Sequence, residues 1–256
     1  MQPYTEDTPR TVLLSYINKL SLQYFLREFR RSSKAQEYVY ARISPETAKL
    51  FYVGYAPSRG LAEYLNEHDV QEVDARAIGI LSFDLEGNAY GKFYNRVMLP
   101  IIHGVYVAGF GGRTVKGIEP KYLNSKESIL YKKREILFGV PQTRKYIRKR
   151  GCCFLVEGYF DVMTPFDYGL KNCLASCGTA LTKQQAHLLK RYTKKVYVMY
   201  DGDAAGRAAA KKARRILKKS KIYAGTITLP HSLDPASYFE KYGRAGIRKL
   251  RKYVKK

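Results

Sequence analysis

Two carboxylates flank a single glycine at Asp201-Gly202-Asp203, where the apolar run VYVMY ends and the basic stretch AAGRAAAKKARRILKK begins. In an extended strand residues i and i+2 point to one side, which places both carboxylates together at the strand's C-terminal end. Paired carboxylates repel unless a cation lies near, and hard oxygen donors suit Mg2+ or Mn2+. Helix capping is the competing use, since Asp is favourable at a helix N-terminus and one of the two could serve there. Glu157 closes a second apolar run, CCFLVEG, Asp161 follows four residues later, and Asp234 follows a third run in LPHSLDPAS. Three strand-end acids on one sheet are more than capping requires. Set among lysines and arginines, they point to metal ions holding phosphates, as in two-metal phosphoryl or nucleotidyl transfer.

The elements that must position these acids are legible as alternating apolar runs and amphipathic stretches. CCFLVEG, CLASC, VYVMYDGD and KIYAGTITLP read as strands. YFDVMTPFDYGL, TKQQAHLLKRY (with Thr182 as cap) and AAGRAAAKKARRILKK read as helices between them, the last with Ala209, Ala213, Ile216 and Leu217 on one face. Strands separated by helices of this length imply a parallel sheet with crossover helices, whose C-terminal edge is the usual ligand edge. The first half is mixed α and β. TVLLSYINKLSLQYFLREFR suits a helix, and residues 44–68 read as helix, turn, helix with Ser44 as N-cap and Pro45 at the first helical position. Short glycine-broken strands follow, with a hairpin turn at Leu85-Glu86-Gly87-Asn88.

The chain of 256 residues has a net charge of +24. The charge is uneven: residues 207–256 carry sixteen Lys and Arg against Asp234 and Glu240, and residues 115–150 carry eleven against Glu119, Glu127 and Glu135. Two basic blocks around an acidic motif favour a nucleic-acid partner over a solvated surface. No apolar run approaches the roughly 18 residues that span a bilayer, and the N-terminus lacks a signal-peptide core. The expectation is a soluble intracellular protein with no membrane partner. The cysteines at 152, 153, 173 and 177 lack zinc-ribbon spacing and read as buried thiols, so no zinc is expected.

EGYFDV, ASCGTALT, VYVMYDGDAAGRAAA and LPHSLDPASY, in this order, resemble the Toprim domain of primases, topoisomerases and related nucleases. Upstream, FYNRVMLPI, AGFGGR and PKYLNS resemble the signatures of bacterial DnaG-type primases. The resemblance covers nearly the whole chain. It implies an α/β fold, with a mixed α+β N-terminal subdomain followed by a Toprim domain whose mainly parallel sheet is flanked by helices. The implied division is a basic template and nucleotide surface in 1–135, the catalytic Toprim domain in 136–240 and a basic C-terminal tail in 241–256. The implied activity is synthesis of short RNA primers on single-stranded DNA from ribonucleoside triphosphates, leaving an RNA–DNA hybrid. Glu157, Asp201 and Asp203 would be the catalytic and metal-binding acids, with Asp161 and Asp234 as further metal positions. Asn95, Arg96, Arg113, Lys121, Tyr122, Asn124 and Lys132 would bind nucleotide and template, with Arg96, Lys121 and Lys132 neutralising the triphosphate.

The chain departs from that family at several points. Asp234-Pro235-Ala236 lacks a second acid, and Tyr94 stands where an arginine is common. Within these 256 residues no stretch resembles the family's zinc-binding module or helicase-binding domain. These features suit either an excised core or a compact natural primase, with a zinc module or a replicative helicase acting in trans. Two competing readings are a Toprim nuclease or topoisomerase-like enzyme and a nucleic-acid-binding module that needs a partner for activity.

Overall fold

The computed structural model describes residues 8–178, 180–230 and 233–255. Thr179, His231 and Ser232, quoted above within motifs, lie outside the described residues, as does Lys256 of the basic C-terminal segment. The chain divides into two compact units, Met1–Ala41 with Ala48–Lys132, and Arg42–Thr47 with Lys133–Lys256.

The first unit is organised around α1 (Pro9–Arg31), followed by α2 (Ser33–Tyr40). Thr8 caps α1 through its side-chain oxygen, which accepts the Thr11 amide, and Pro9 takes the first helical position, where its missing N–H costs nothing. Leu14, Ile17, Leu20, Tyr24 and Phe25 recur at helical spacing and are buried on one face. They pack with Leu61, Leu65, Phe93, Met98 and Phe110 in the unit's core.

Residues 44–68 differ from the expected helix, turn, helix. Between α3 (Pro45–Leu50) and α4 (Leu61–Asn66) lies a strand, β1 (Gly54–Ala56). It pairs antiparallel with β4 (Arg96–His103), Gly54 opposite Met98 and Ala56 opposite Arg96. A three-residue strand has too few positions to show an alternation, so its partner forty residues away creates it. Ser44 does cap α3, its Oγ accepting the Thr47 amide (3.2 Å).

After α5 (Glu72–Ala77), β2 (Leu81–Phe83) and β3 (Ala89–Gly91) form the expected hairpin. Asp84 organises its turn by accepting the amides of Glu86 (3.0 Å) and Asn88 (2.8 Å). β4, β5 (Tyr106–Thr114) and β6 (Tyr122–Asn124) complete an antiparallel sheet in the order β1-β4-β5-β6.

The second unit alternates strand and helix: α6 (Val140–Arg150), β7 (Cys153–Val156), α7 (Phe160–Asp167), β8 (Cys173–Ala175), α8 (Lys183–Lys190), β9 (Lys195–Val198), α9 (Ala204–Lys219) and β10 (Tyr223–Ile227). Then come α10 (Pro235–Tyr242), α11 (Ala245–Lys249) and β11 (Val254–Lys255). The sheet order is β11-β10-β9-β7-β8; the last four strands are mutually parallel and β11 is antiparallel to β10. Leu155, Val196 and Val198 are fully buried, as central parallel strands require. α9 buries Gly206, Ala210, Ala213 and Leu217, while Ala209 and Ile216 flank that stripe half-buried. Cys153, Cys173 and Cys177 are buried thiols outside any disulfide, pushed up in pKa by burial.

Asp167, at the end of α7, accepts from the Ser44 amide (3.0 Å), Ser44 Oγ (2.5 Å) and Thr47 Oγ1 (2.5 Å). One carboxylate therefore pins the segment Arg42–Thr47 to this unit. Asp167→Ala strands three donors at a half-buried position. It is expected to cost about 2 kcal/mol, lowering the melting temperature by roughly 4–8 °C in a calorimetric scan.

Candidate active site

The acids converge at the C-terminal edge of the parallel sheet. Glu157 follows β7 directly; its main-chain carbonyl accepts the Cys177 amide (3.0 Å), and its Oε1 accepts the Asp201 amide (3.3 Å). β9 ends at Val198, three residues before Asp201. Asp201 and Asp203 thus lie in the turn to α9, and strand alternation does not set their direction. The turn does, and it is held on three sides. The Gly202 amide donates to the Leu233 carbonyl (3.0 Å), and Arg207 Nη1 donates to the Gly202 carbonyl (2.6 Å). Asp203 Oδ1 accepts the Gly206 amide (2.6 Å) as the N-cap of α9.

Two glycines make this turn possible. A Cβ on Gly202 would lie 2.3 Å from the Pro230 carbonyl oxygen, and one on Gly206 would lie 2.3 Å from the Asp201 carbonyl oxygen. Backbone therefore packs on backbone at both positions. Gly206→Ala is expected to destabilise the chain by about 1–3 kcal/mol, read as a lower denaturation midpoint at unchanged slope.

Asp161 and Asp234 each accept backbone amides. Asp161, in the first turn of α7, is 8% exposed. Its Oδ2 accepts the Gly158 amide (2.8 Å) and its Oδ1 the Ala236 amide (3.2 Å), so both oxygens face backbone donors. Ala236, the residue that replaces a family acid, thus contributes its main chain to the cluster. Asp234 caps α10 by accepting the Ser237 amide (2.7 Å). Arg207 was not among the sequence candidates, although a cation in the first turn of a helix, at the positive end of its dipole, is itself a signal.

The carboxylates sense one another. Burial raises the pKa of Glu157, and the charge of Asp203 adds to that, while the hydrogen bond from the Asp201 amide opposes it. Asp161 is pushed up to about 7 by burial, with the charges of Asp234 and Asp201 acting in the same sense. An acid whose pKa is raised by folding stabilises the fold below its unfolded value and loses that contribution as pH rises through the folded one. The metal-free protein is therefore expected to lose stability between about pH 4 and about pH 7. Denaturant titrations in a chelator should show the fall, and Asp161→Asn should flatten it.

Among the described residues, no three His, Cys, Asp or Glu side chains close into a ready metal cage. The donor set nevertheless fits a hard cation. Glu157, Asp201 and Asp203 offer only carboxylate oxygens, and Asp203 is exposed beyond its capping oxygen. Mg2+ is commonly held by one or two carboxylates, its remaining positions filled by water and substrate phosphate, so an open edge suits it.

In the first unit the expected nucleotide and template residues divide into two groups. Lys121 and Lys132 are exposed cations. Tyr122 and Asn124 lie on β6, and Tyr122 is opposite Arg113 on β5. Arg113 is held by two phenols, Nε donating to Tyr38 Oη (2.7 Å) and Nη1 to Tyr122 Oη (2.6 Å). Asn95 sits in left-handed backbone (φ 53°), and its side-chain oxygen accepts from Tyr55 Oη (3.3 Å). Arg96 differs from the rest. It is 4% exposed, and its guanidinium donates to the carbonyls of Pro120 (2.7 Å), Gly112 (3.4 Å), Ile118 (3.4 Å) and Lys121 (3.5 Å). In this structure the expected triphosphate ligand Arg96 supports residues 118–121.

A parallel sheet with Glu157 and the Asp-Gly-Asp turn at its strand ends defines a Toprim-like domain, and the Toprim-like family profile matches residues 154–239. The profile of the DNA primase catalytic core, N-terminal domain, matches residues 24–144. The chain belongs to the family of DnaG-type primase catalytic cores. It is 41% identical over 224 residues to the DNA primase of Aquifex aeolicus, covering 86% of this chain and 45% of that one. It is 34% identical over 251 residues to the DNA primase of Clostridium acetobutylicum, covering 96% of this chain and 42% of that one. The chain therefore spans less than half the length of these curated relatives. A crystal structure of the zinc-binding and RNA polymerase domains of the Aquifex aeolicus primase superposes with a TM-score of 0.89 at 36% identity, covering 99% of this chain and 64% of that one. A DnaG primase catalytic domain bound to single-stranded DNA superposes with a TM-score of 0.87 at 28% identity, covering 96% of this chain and 82% of that one. No helix among the described residues is long and apolar enough to cross a membrane.

Proposed function

We propose that this chain is the catalytic core of a DNA primase, a template-dependent RNA polymerase that makes short primers on single-stranded DNA. The observation that carries this is the shared edge of Glu157, Asp201 and Asp203 on a Toprim-like sheet, in a chain that also has the primase N-terminal domain. These three acids would hold Mg2+ or Mn2+. When bound, the divalent ion supplies positive charge at the triphosphate and lowers the pKa of the attacking 3′-hydroxyl.

The protein's own groups do the positioning. The Glu157 bond to the Asp201 amide keeps the two acids in register, and the Asp203 cap fixes the start of α9. Asp161 ties the edge to α10 through Ala236 and acts as a support. Lys121 and Lys132 are the accessible cations for nucleotide phosphates and for the backbone of template or RNA–DNA hybrid, and Arg113 is oriented by Tyr38 and Tyr122. Arg96 shapes the loop from within. The single-stranded DNA bound by a related catalytic domain supports the template assignment. A zinc-binding module and a replicative helicase would be its partners, the zinc module assisting start-site choice. The cytoplasm of a bacterium or of a phage-infected host is where such an enzyme would act.

The test combines the purified chain with single-stranded template, labelled ribonucleotides and Mg2+ or Mn2+. Short RNA that disappears with Asp201→Asn supports the reading. Cleavage of the template without synthesis would assign the edge to a Toprim nuclease. Template binding with neither activity, even after a zinc module is added, would leave only a binding module.

A further inference from the structure

An open groove of about 460 Å³ lies between α8 and the end of α9, lined by Lys183, His187, Lys190, Lys219 and Lys221 with Ile216 as its apolar patch. No carboxylate is among its described lining residues. Between Lys183 and Lys221 the only acids are Asp201 and Asp203, and these stand at the other end of α9. Asp203 caps the helix and Lys219 is its sixteenth and last residue. At 1.5 Å per residue the groove is roughly 24 Å from the acidic edge. It is a separate place on the molecule.

Lysines at helix C-termini are ordinarily explained by the helix dipole, and that accounts for Lys190 and Lys219. It does not account for Lys183, the first residue of α8, at the end where a cation is disfavoured. Lys221, directly after the C-cap Ser220 and in left-handed backbone (φ 58°), lies at the same negative end as Lys219. His187 approaches the Lys183 carbonyl through Nδ1 (3.1 Å), which keeps its ring on the face that carries both lysines of α8. The lysine ammonium groups that line the groove repel one another. An anion in the groove would offset that repulsion.

We propose that this groove is a second nucleic-acid contact that takes the phosphodiester backbone of single-stranded DNA. Lys183 and Lys190 are seven residues apart on α8, about 10 Å along the axis, too far to share one phosphate. The groove offers point charges and the Ser220 hydroxyl but no arginine fork, which suits backbone tracking better than capture of one phosphate monoester. This contact goes beyond the primase reading and does not depend on catalysis.

The test compares two triple variants of the whole chain by fluorescence anisotropy with a labelled oligo(dT) of about 30 nucleotides across a salt series. K183Q/K190Q/K219Q removes groove lysines; K211Q/K212Q/R215Q removes the same charge from exposed positions of α9 outside the groove. The groove variant is expected to bind at least about tenfold more weakly near 0.1 M salt, with a slope of log affinity against log salt shallower by about 2, at ~0.7 per phosphate contact. The control variant should keep the parental slope. Equal losses in both variants, or parental binding by the groove variant, would overturn the proposal. So would a groove variant that loses binding of ATP or inorganic phosphate while oligonucleotide binding is unchanged. Displacement of the oligonucleotide by poly-glutamate as readily as by unlabelled oligonucleotide would also count against it. Loss of synthesis in Asp201→Asn tests the catalytic edge separately, so failure of one reading does not imply failure of the other.

Discussion

Glu157→Gln is expected to reduce primer synthesis by about 10²–10³-fold, the usual effect of removing one preorganised electrostatic group, while the protein stays folded. Gln keeps an oxygen where Glu157 Oε1 accepts the Asp201 amide, so the tie between the two acidic segments survives. It loses the negative charge that, with Asp201 and Asp203, would hold the divalent ion. In the metal-free protein that charge is a burden, because burial and the neighbouring Asp203 favour the protonated acid. The variant should therefore melt no lower than the parent in a chelator, yet gain less stability when Mg2+ or Mn2+ is added, because its site binds the ion less well. Wild-type activity should also fall as pH drops through the raised pKa of Glu157, since protonation competes with metal binding. A variant that kept full synthesis would remove Glu157 from the site. One that lost synthesis only by unfolding would make it a structural residue.

The second unit was far more legible in the sequence than the first, for a physical reason. Buried parallel strands are continuous apolar runs, and the crossover helices between them bury one face, so both signals are local. CCFLVEG, VYVMY and the stripe of α9 each show their element without reference to distant chain. β1 depends instead on β4, forty residues on, and three residues cannot display a period of two. The hairpin of β2 and β3 was readable because Asp84 and Gly87 organise the turn within five residues.

At the site, residue types were legible and directions were not. That Glu157, Asp201 and Asp203 share an edge follows from acids ending apolar runs. That Asp203 spends one oxygen on the Gly206 amide, and Asp161 spends both on Gly158 and Ala236, depends on where loops return. Arg207 illustrates the same limit, since its partner, the Gly202 carbonyl, exists as a target only once the turn has formed.

Arg96 is the sharpest case of a residue whose type suggests one role and whose surroundings give another. Arg96→Met is expected to destabilise the chain by about 3 kcal/mol, as buried carbonyls lose their donor, and to lower the melting temperature by roughly 6–12 °C. Methionine keeps much of the apolar stem, which packs so closely on Gly112 that a Cβ there would lie 3.0 Å from Arg96 Cδ. It removes every donor that now reaches Gly112, Ile118, Pro120 and Lys121. Burial lowers the pKa of this guanidinium, opposed by Tyr94 and Glu119, yet arginine stays charged at any working pH. The cost of burying that charge is met by the carbonyl dipoles of residues 118–121. Lys121 leads directly into β6, so a loosened loop should also weaken the nucleic-acid binding proposed for Lys121, Tyr122 and Asn124. Hydrogen exchange separates this from direct triphosphate binding. A structural Arg96 predicts faster exchange at the Leu123 amide and the rest of β6 in Arg96→Met, together with the lower melting temperature. A ligand-binding Arg96 predicts a raised nucleotide KM with both left unchanged. Arg96→Lys, which can reach one carbonyl but not four, should fall between the parent and the methionine variant in stability.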